Sequence, residues 1–220
     1  MDINGISKQR VLSIVLCFNK NESNADFVQH LMDSLHNIVD NLVNSLSSDD
    51  SMVSDIRLKV VVFGDYKYDK KPIIESPFYF YYDQTELIKD FVRSIDVFED
   101  GESKKNGFEA LYYAMMSDWT IGKFDRQLIL FFTDRDALPL QERKGEKNYP
   151  SDMPDMAGLE NTWACVNKNC SLNDRTKRLV IYAPKDSIYG TLLWNRMMFY
   201  PLEEGELNTL NVADLLKPKK

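Results

Sequence analysis

Two clusters of oxygen-bearing side chains stand where apolar runs stop. Asn19, Asn21 and Ser23 follow the run Val11-Leu-Ser-Ile-Val-Leu-Cys-Phe18, and Asp134 and Asp136 follow Gln127-Leu-Ile-Leu-Phe-Phe132-Thr133. Amide, hydroxyl and carboxylate oxygens are the ligand types that a hard cation such as Mg²⁺ takes. Asp134 and Asp136 are two such carboxylates, two residues apart. Other chemistries find less footing. His30 and His36 are six apart in a helical stretch, so they face different sides and do not pair as an i, i+4 metal couple. With no further histidine, a Ser-His-Asp triad has little basis. Cys165 and Cys170 lack a second Cys or His pair nearby to complete a zinc site. They read as reduced thiols, with a labile disulfide as the minor reading, and Cys17 reads as a small buried hydrophobe. Neither the phosphate-cradling Gly-x-x-x-x-Gly-Lys-Ser/Thr nor Gly-x-Gly-x-x-Gly occurs.

The elements that must position these residues alternate along the chain. Residues 11–18, 58–64, 127–132 and 178–183 are apolar without a polar alternation. Only a parallel sheet covered on both faces rewards that pattern, so these runs belong at its centre. Their polar ends then fall at the carboxyl edge, where open α/β sheets hold ligands. A helix is expected over 24–46, from the stripe Phe27, Leu31, Leu35, Ile38, Leu42 and Leu46. Ser23 with Asp26 has capping-box spacing for it, and Asp83 with Glu86 has the same spacing for a helix running to Ile95. The aromatic run 78–82 reads as an extended segment burying alternate rings. Asn106 and Glu109 open a further helix. Residues 138–156 carry three of the eight prolines and form a long loop. A short helix around 159–166, a short helix and edge strand within 188–200, and a terminal helix over 207–216 complete the series. The fold class expected is therefore α/β: one domain over 1–220, doubly wound, mostly parallel, with helices on both faces.

Composition narrows the setting. A net charge of −7 disfavours a nucleic-acid surface. No apolar stretch approaches the roughly 20 residues that span a bilayer. The first residues lack a signal-peptide pattern, so the expectation is a cytoplasmic protein, with neither nucleic acid nor membrane as its partner.

Several segments resemble a von Willebrand factor A-type domain. The first apolar run leads into Asn19, Asn21 and Ser23 where that family has Asp-x-Ser-x-Ser, and only Ser23 keeps the family residue. Val61-Val-Phe-Gly-Asp65-Tyr66, the loop 100–103 with Asn106-Gly-Phe-Glu-Ala-Leu-Tyr112, and Leu128–Asp134 resemble bacterial members from stress-response or defence operons. The resemblance implies a metal-ion-dependent adhesion site in which Asn19, Asn21, Ser23, Glu102 (or Ser103) and Asp134 hold Mg²⁺. The alternative is a degenerate site in which Asn19 and Asn21 bond the loops and Ser23 caps the helix. It implies a non-catalytic protein-binding module, acting through 19–23, 65–68, 100–106 and 134–150, with the long loop as its mobile part. Asp134-Arg-Asp136 also resembles the motif of haloacid-dehalogenase-type phosphatases. That motif normally lies on a domain's first strand, and here no later acidic pair follows. A toprim-type site would need an upstream strand-end Glu, which Glu22 matches poorly. A metal-dependent hydrolase using Asp134 and Asp136 is the alternative function.

Overall fold

The computed structural model describes residues 8–46, 51–98 and 103–210. Its strands are β1 (Lys8–Asn19), β2 (Ser51–Phe63), β3 (Ile73–Glu75), β4 (Tyr79–Phe80), β5 (Lys104–Lys105), β6 (Arg126–Phe132), β7 (Asp136–Ala137), β8 (Lys177–Pro184) and β9 (Met197–Leu202). The main sheet runs β3-β2-β1-β6-β8-β9, with β4 also pairing β2. The pairs β2/β1, β1/β6, β6/β8 and β8/β9 are parallel, and only β3 and β4 run against β2. The four runs apolar on both faces are the four inner strands, as their pattern requires.

Successive residues of the inner strands enter two separate cores. Leu12, Ile14, Leu16 and Phe18 point to one side, Val15 and Cys17 to the other. The first core is closed by α1 (Ala25–Asp33), α2 (Leu35–Leu46), α3 (Tyr81–Arg93) and α6 (Glu206–Thr209), through Phe27, Leu31, Ile38, Ile88 and Leu207. The second is closed by α4 (Gly107–Met115) and α5 (Met156–Trp163), through Phe108, Leu111, Leu159 and Trp163. Each such side chain contributes about 1.5–3 kcal/mol of burial. Covering both faces makes the sheet doubly wound.

The order reverses beside β1. From β1 the chain goes outward to β2 and β3, then crosses back to build β6, β8 and β9 on the other side. A crevice therefore opens at the carboxyl ends of β1 and β6. Phe18 lies opposite Phe132, so Asn19 meets the residues that follow β6.

Local structure departs from the sequence reading at four places. The helix expected over 24–46 is interrupted at Ser34, although its apolar stripe continues from Leu31 to Leu35 and Ile38. Asp83 does not open α3: the helix begins at Tyr81, and Gln84 accepts from the Phe80 N–H at 2.8 Å while its own backbone kinks the helix. Tyr81 is thereby buried and Phe80 and Tyr82 are exposed. The short α5 begins at Met156, where the Asp155 carboxylate accepts from Gly158 N–H at 2.8 Å. The terminal helix expected over 207–216 is the single turn Glu206–Thr209, ended by an extended Leu210, and residues 211–216 lie outside the described residues.

Candidate functional site: the crevice between β1 and β6

Asn21 and Asn24 shape the loop leaving β1. The Asn21 carboxamide oxygen accepts from Asn24 N–H, the Asn24 oxygen accepts from Asn21 N–H, both at 3.0 Å, and Asn24 Nδ2 donates to the Asn19 carbonyl at 2.9 Å. This reciprocal cap starts a single 3-10 turn at Glu22–Asn24, which runs into α1. Ser23 is therefore not the cap that its spacing with Asp26 suggested. Asn24 escaped the sequence reading, although the Asn-x-x-Asn spacing of a reciprocal cap was there to be read.

With the cap made by asparagines, Ser23 is left to face Asp134. Asp134 stands two residues beyond β6 and gathers the loop around its carboxylate. Its Oδ1 accepts from Asn19 Nδ2 at 2.8 Å and from Asn21 Nδ2 at 3.5 Å, and its Oδ2 accepts from the Ser23 hydroxyl. Arg135 joins the group: its Nη2 donates to Ser23 Oγ at 3.2 Å, and its Nε lies 3.6 Å from Asp134 Oδ2. From α6, Asn208 Nδ2 donates to the Ser23 carbonyl at 2.6 Å. A cleft of about 660 Å³ opens here, lined by Ser23, Ser103, Asp134, Arg135, Asp186 and Glu204 among others. Asn19, Asn21, Ser23 and Asp134 are thus brought together. Ser103 lines the same cleft, and Glu102 lies outside the described residues.

These atoms do not form a cage for a hard divalent cation. Mg²⁺ needs several oxygens turned on one point at about 2.0–2.1 Å. Around Asp134 the groups turned inward are instead the amide N–H groups of Asn19 and Asn21 and the Ser23 hydroxyl. Asn21 Oδ1 is spent on Asn24 N–H. Asn19 Oδ1, buried and without a hydrogen-bond partner, is the oxygen left over. Among the described residues no three His, Cys, Asp or Glu side chains gather as a metal cluster.

The two aspartates of the hydrolase alternative do not share a pocket. Asp136 turns to Lys104, at 2.8 Å, and accepts from the N–H groups of Ile188 and Ala137, each at 2.8 Å. Burial pushes its carboxyl up, but these partners outweigh it and hold it below its ordinary value. Asp136 is a structural clamp between β5, β7 and the turn at Ile188.

Beside the crevice, the loop between β7 and α5 is fastened by buried polar groups. Arg143 makes a two-pronged pair with Asp65, Nε to Oδ1 and Nη2 to Oδ2, both at 2.9 Å, and the Asp65 side chain is fully buried. Glu109, on α4, accepts from Tyr149 Oη at 2.8 Å and from Gln141 N–H at 3.3 Å. Burial raises its carboxyl above the ordinary 4.5, against those hydrogen bonds. Asn148 Nδ2 adds a bond to the Lys70 carbonyl at 2.9 Å. The segment expected to be mobile is tied to the scaffold at both Asp65 and Glu109.

Neither a family model nor a curated protein sequence matches the chain. Solved structures do match in three dimensions. The pilus adhesin SpaC from Lactobacillus rhamnosus GG matches in two forms, one of them the open conformation. The TM-scores are 0.55 and 0.52, with 12% and 10% identity over 94% of this chain. The fold is von Willebrand factor A-like. This chain spans about a third of the adhesin, 31% and 30% of its length in the two forms. Proximal thread matrix protein 1 from the mussel byssus is also similar, at 12% identity over 95% of this chain and 49% of that one, with a TM-score of 0.48. A likeness at this identity concerns the fold alone. The expected cytoplasmic location does not stand, because the structure that shares the fold is a pilus adhesin, which points away from it. Among the described residues, no helix is long and apolar enough to cross a membrane.

Proposed function

We propose that this chain is a non-catalytic protein-binding module whose contact surface is the loop edge around the Asp134 cleft. The observation that carries this reading is the use of Asp134. Its carboxylate is consumed in holding Asn19, Asn21 and Ser23, residues more than a hundred positions away. It is a structural hub, with Asp136 turned away to Lys104, so the hydrolase alternative loses the paired carboxylates it needs. What surrounds the hub is a rigid sheet edge bearing loops, the usual seat of recognition. The adhesin that shares the fold supports a binding role by analogy of fold. The setting in a bacterial stress-response or defence system rests on the sequence resemblance of residues 61–66 and 100–112.

The charges on the cleft's rim support one choice of partner chemistry. Asp134 is matched by Arg135 and Glu203 by Lys185, the latter pair at 2.8 Å. Asp186 and Glu204 remain as exposed acids on the rim. A basic partner segment is the complementary surface, and rim charges act mainly on encounter rate and salt dependence. The test is capture of binding proteins from the native host by the immobilised chain, compared with Asp186→Lys/Glu204→Lys and with a charge reversal at Asp33, on the distant end of α1. Loss in the rim variant alone, with steep salt sensitivity in the wild type, is expected. Equal capture by all three proteins would remove the loop edge as the contact surface.

A further inference from the structure

We infer that the guanidinium of Arg135 takes the place of a divalent cation at this loop edge, so that the site works with a built-in cation. The von Willebrand-type resemblance puts a metal between the Ser23 and Asp134 oxygens. Here the same two side chains are bridged by Arg135, with Nη2 donating to Ser23 Oγ at 3.2 Å and Nε 3.6 Å from Asp134 Oδ2. Only 25% of the Arg135 side chain and 18% of the Asp134 side chain are exposed, so solvent screens the pair less than it would a surface pair.

The physical consequences differ from those of a bound ion. A guanidinium carries one permanent charge at any ordinary pH and offers its donors in a planar fork. It is tethered to the residue next to Asp134, so it neither dissociates nor yields to a chelator. Its Nη2 donates to the Ser23 hydroxyl, and that hydroxyl bonds the Asp134 carboxylate. A second cation entering the cleft would meet this fixed positive charge at close range, where repulsion is strong. Replacing the family's leading Asp by Asn19 fits the same logic: one carboxylate is enough to balance one guanidinium. The adaptation is one of charge count.

Removing Arg135 should then create the cation site that the wild type lacks. Asp134 would be left uncompensated, next to Ser23 Oγ and the unspent Asn19 Oδ1. The experiment is calorimetric titration of the whole chain with Mg²⁺ and with Mn²⁺, together with the thermal shift each ion produces. The proteins are wild type, Arg135→Gln and the charge-retaining Arg135→Lys, each first checked for a native circular dichroism spectrum and a cooperative melt. The expected result is no saturable binding in the millimolar range for wild type and Arg135→Lys. Arg135→Gln should bind Mn²⁺ at least about tenfold more tightly, as loss of a unit charge at this distance implies. Wild-type binding as tight as that of Arg135→Gln would overturn the inference. So would failure of Arg135→Gln to bind, since Arg135 would then not be what stands in the cation's place. This titration needs no partner, so its outcome is separate from that of the binding reading. On that reading, partner capture by the wild type is unaffected by EDTA.

Discussion

Replacing Asp134 by Asn tests the hub directly, because the two side chains have the same shape and differ in what their second oxygen can do. The carboxylate accepts on both sides: from Asn19 at 2.8 Å and Asn21 at 3.5 Å on Oδ1, and from Ser23 on Oδ2, with Arg135 at 3.6 Å. An amide accepts on one side only. If its oxygen faces Asn19, its NH₂ confronts Arg135, and the bond that Ser23 gave to a carboxylate is replaced by a weaker one that Ser23 accepts. If it turns over, two NH₂ groups oppose each other where Asn19 is 1% exposed. Either way at least one charge-assisted hydrogen bond is lost, at about 1.5–3 kcal/mol. The longer, partly exposed Arg135 contact adds no more than about 1 kcal/mol after screening. A destabilisation of about 2–3 kcal/mol follows, or a fall in Tm of about 4–12 °C for a chain of this size. Urea and thermal unfolding at neutral pH provide the measurement. Ser23→Ala alone should cost about 1 kcal/mol, and the double substitution should cost less than the sum, because both remove the same bond. A Tm for Asp134→Asn within about 2 °C of wild type would refute the hub, since no arrangement of the amide keeps the charge-assisted bonds.

Two further outcomes concern the fastened loop. Arg143→Ala leaves the buried Asp65 carboxylate without its two-pronged partner, although the Lys67 N–H still reaches it at 2.9 Å. The expected cost is near the low end for a broken buried pair, about 3 kcal/mol, with new protease cuts within residues 138–155; unchanged cutting and stability would refute the clamp. Glu109 has a folded-state carboxyl raised above its ordinary 4.5. Its contribution is therefore full below that value and is lost as pH rises through the folded value. The stability of Glu109→Gln relative to wild type should accordingly improve as pH rises from 4.5 towards neutrality. Urea unfolding across that range checks it, and a difference that stays flat would show that burial of the charge has no cost.

What the sequence determined by itself is the sheet and its edge. The runs at 11–18, 58–64, 127–132 and 178–183 are apolar on both faces, and burial on both faces admits few places other than the inside of a parallel sheet. Strand ends on neighbouring parallel strands share one edge, which is why the positions of Asn19 and Asp134 along the chain already imply that they lie near each other. The helix boundaries were less legible. Asp83 and Ser23 have capping spacing, but Gln84 and the Asn21–Asn24 pair win the backbone groups instead. Spacing rules see candidates and not the competition among them.

Only the tertiary structure decided what the edge does with its charges. Arg135 and Arg143 look in sequence like ordinary solvated residues, and Glu109 like a helix-surface acid. Their roles depend on partners as distant as Ser23, Asp65 and Tyr149. No local pattern encodes such a pairing, because an ion pair is set by where the chain's crossovers bring two side chains and by how much water they lose there. The same physics separates a cation cage from a closed hydrogen-bonded hub. Both use Ser23 and Asp134, and the direction in which Arg135 turns distinguishes them.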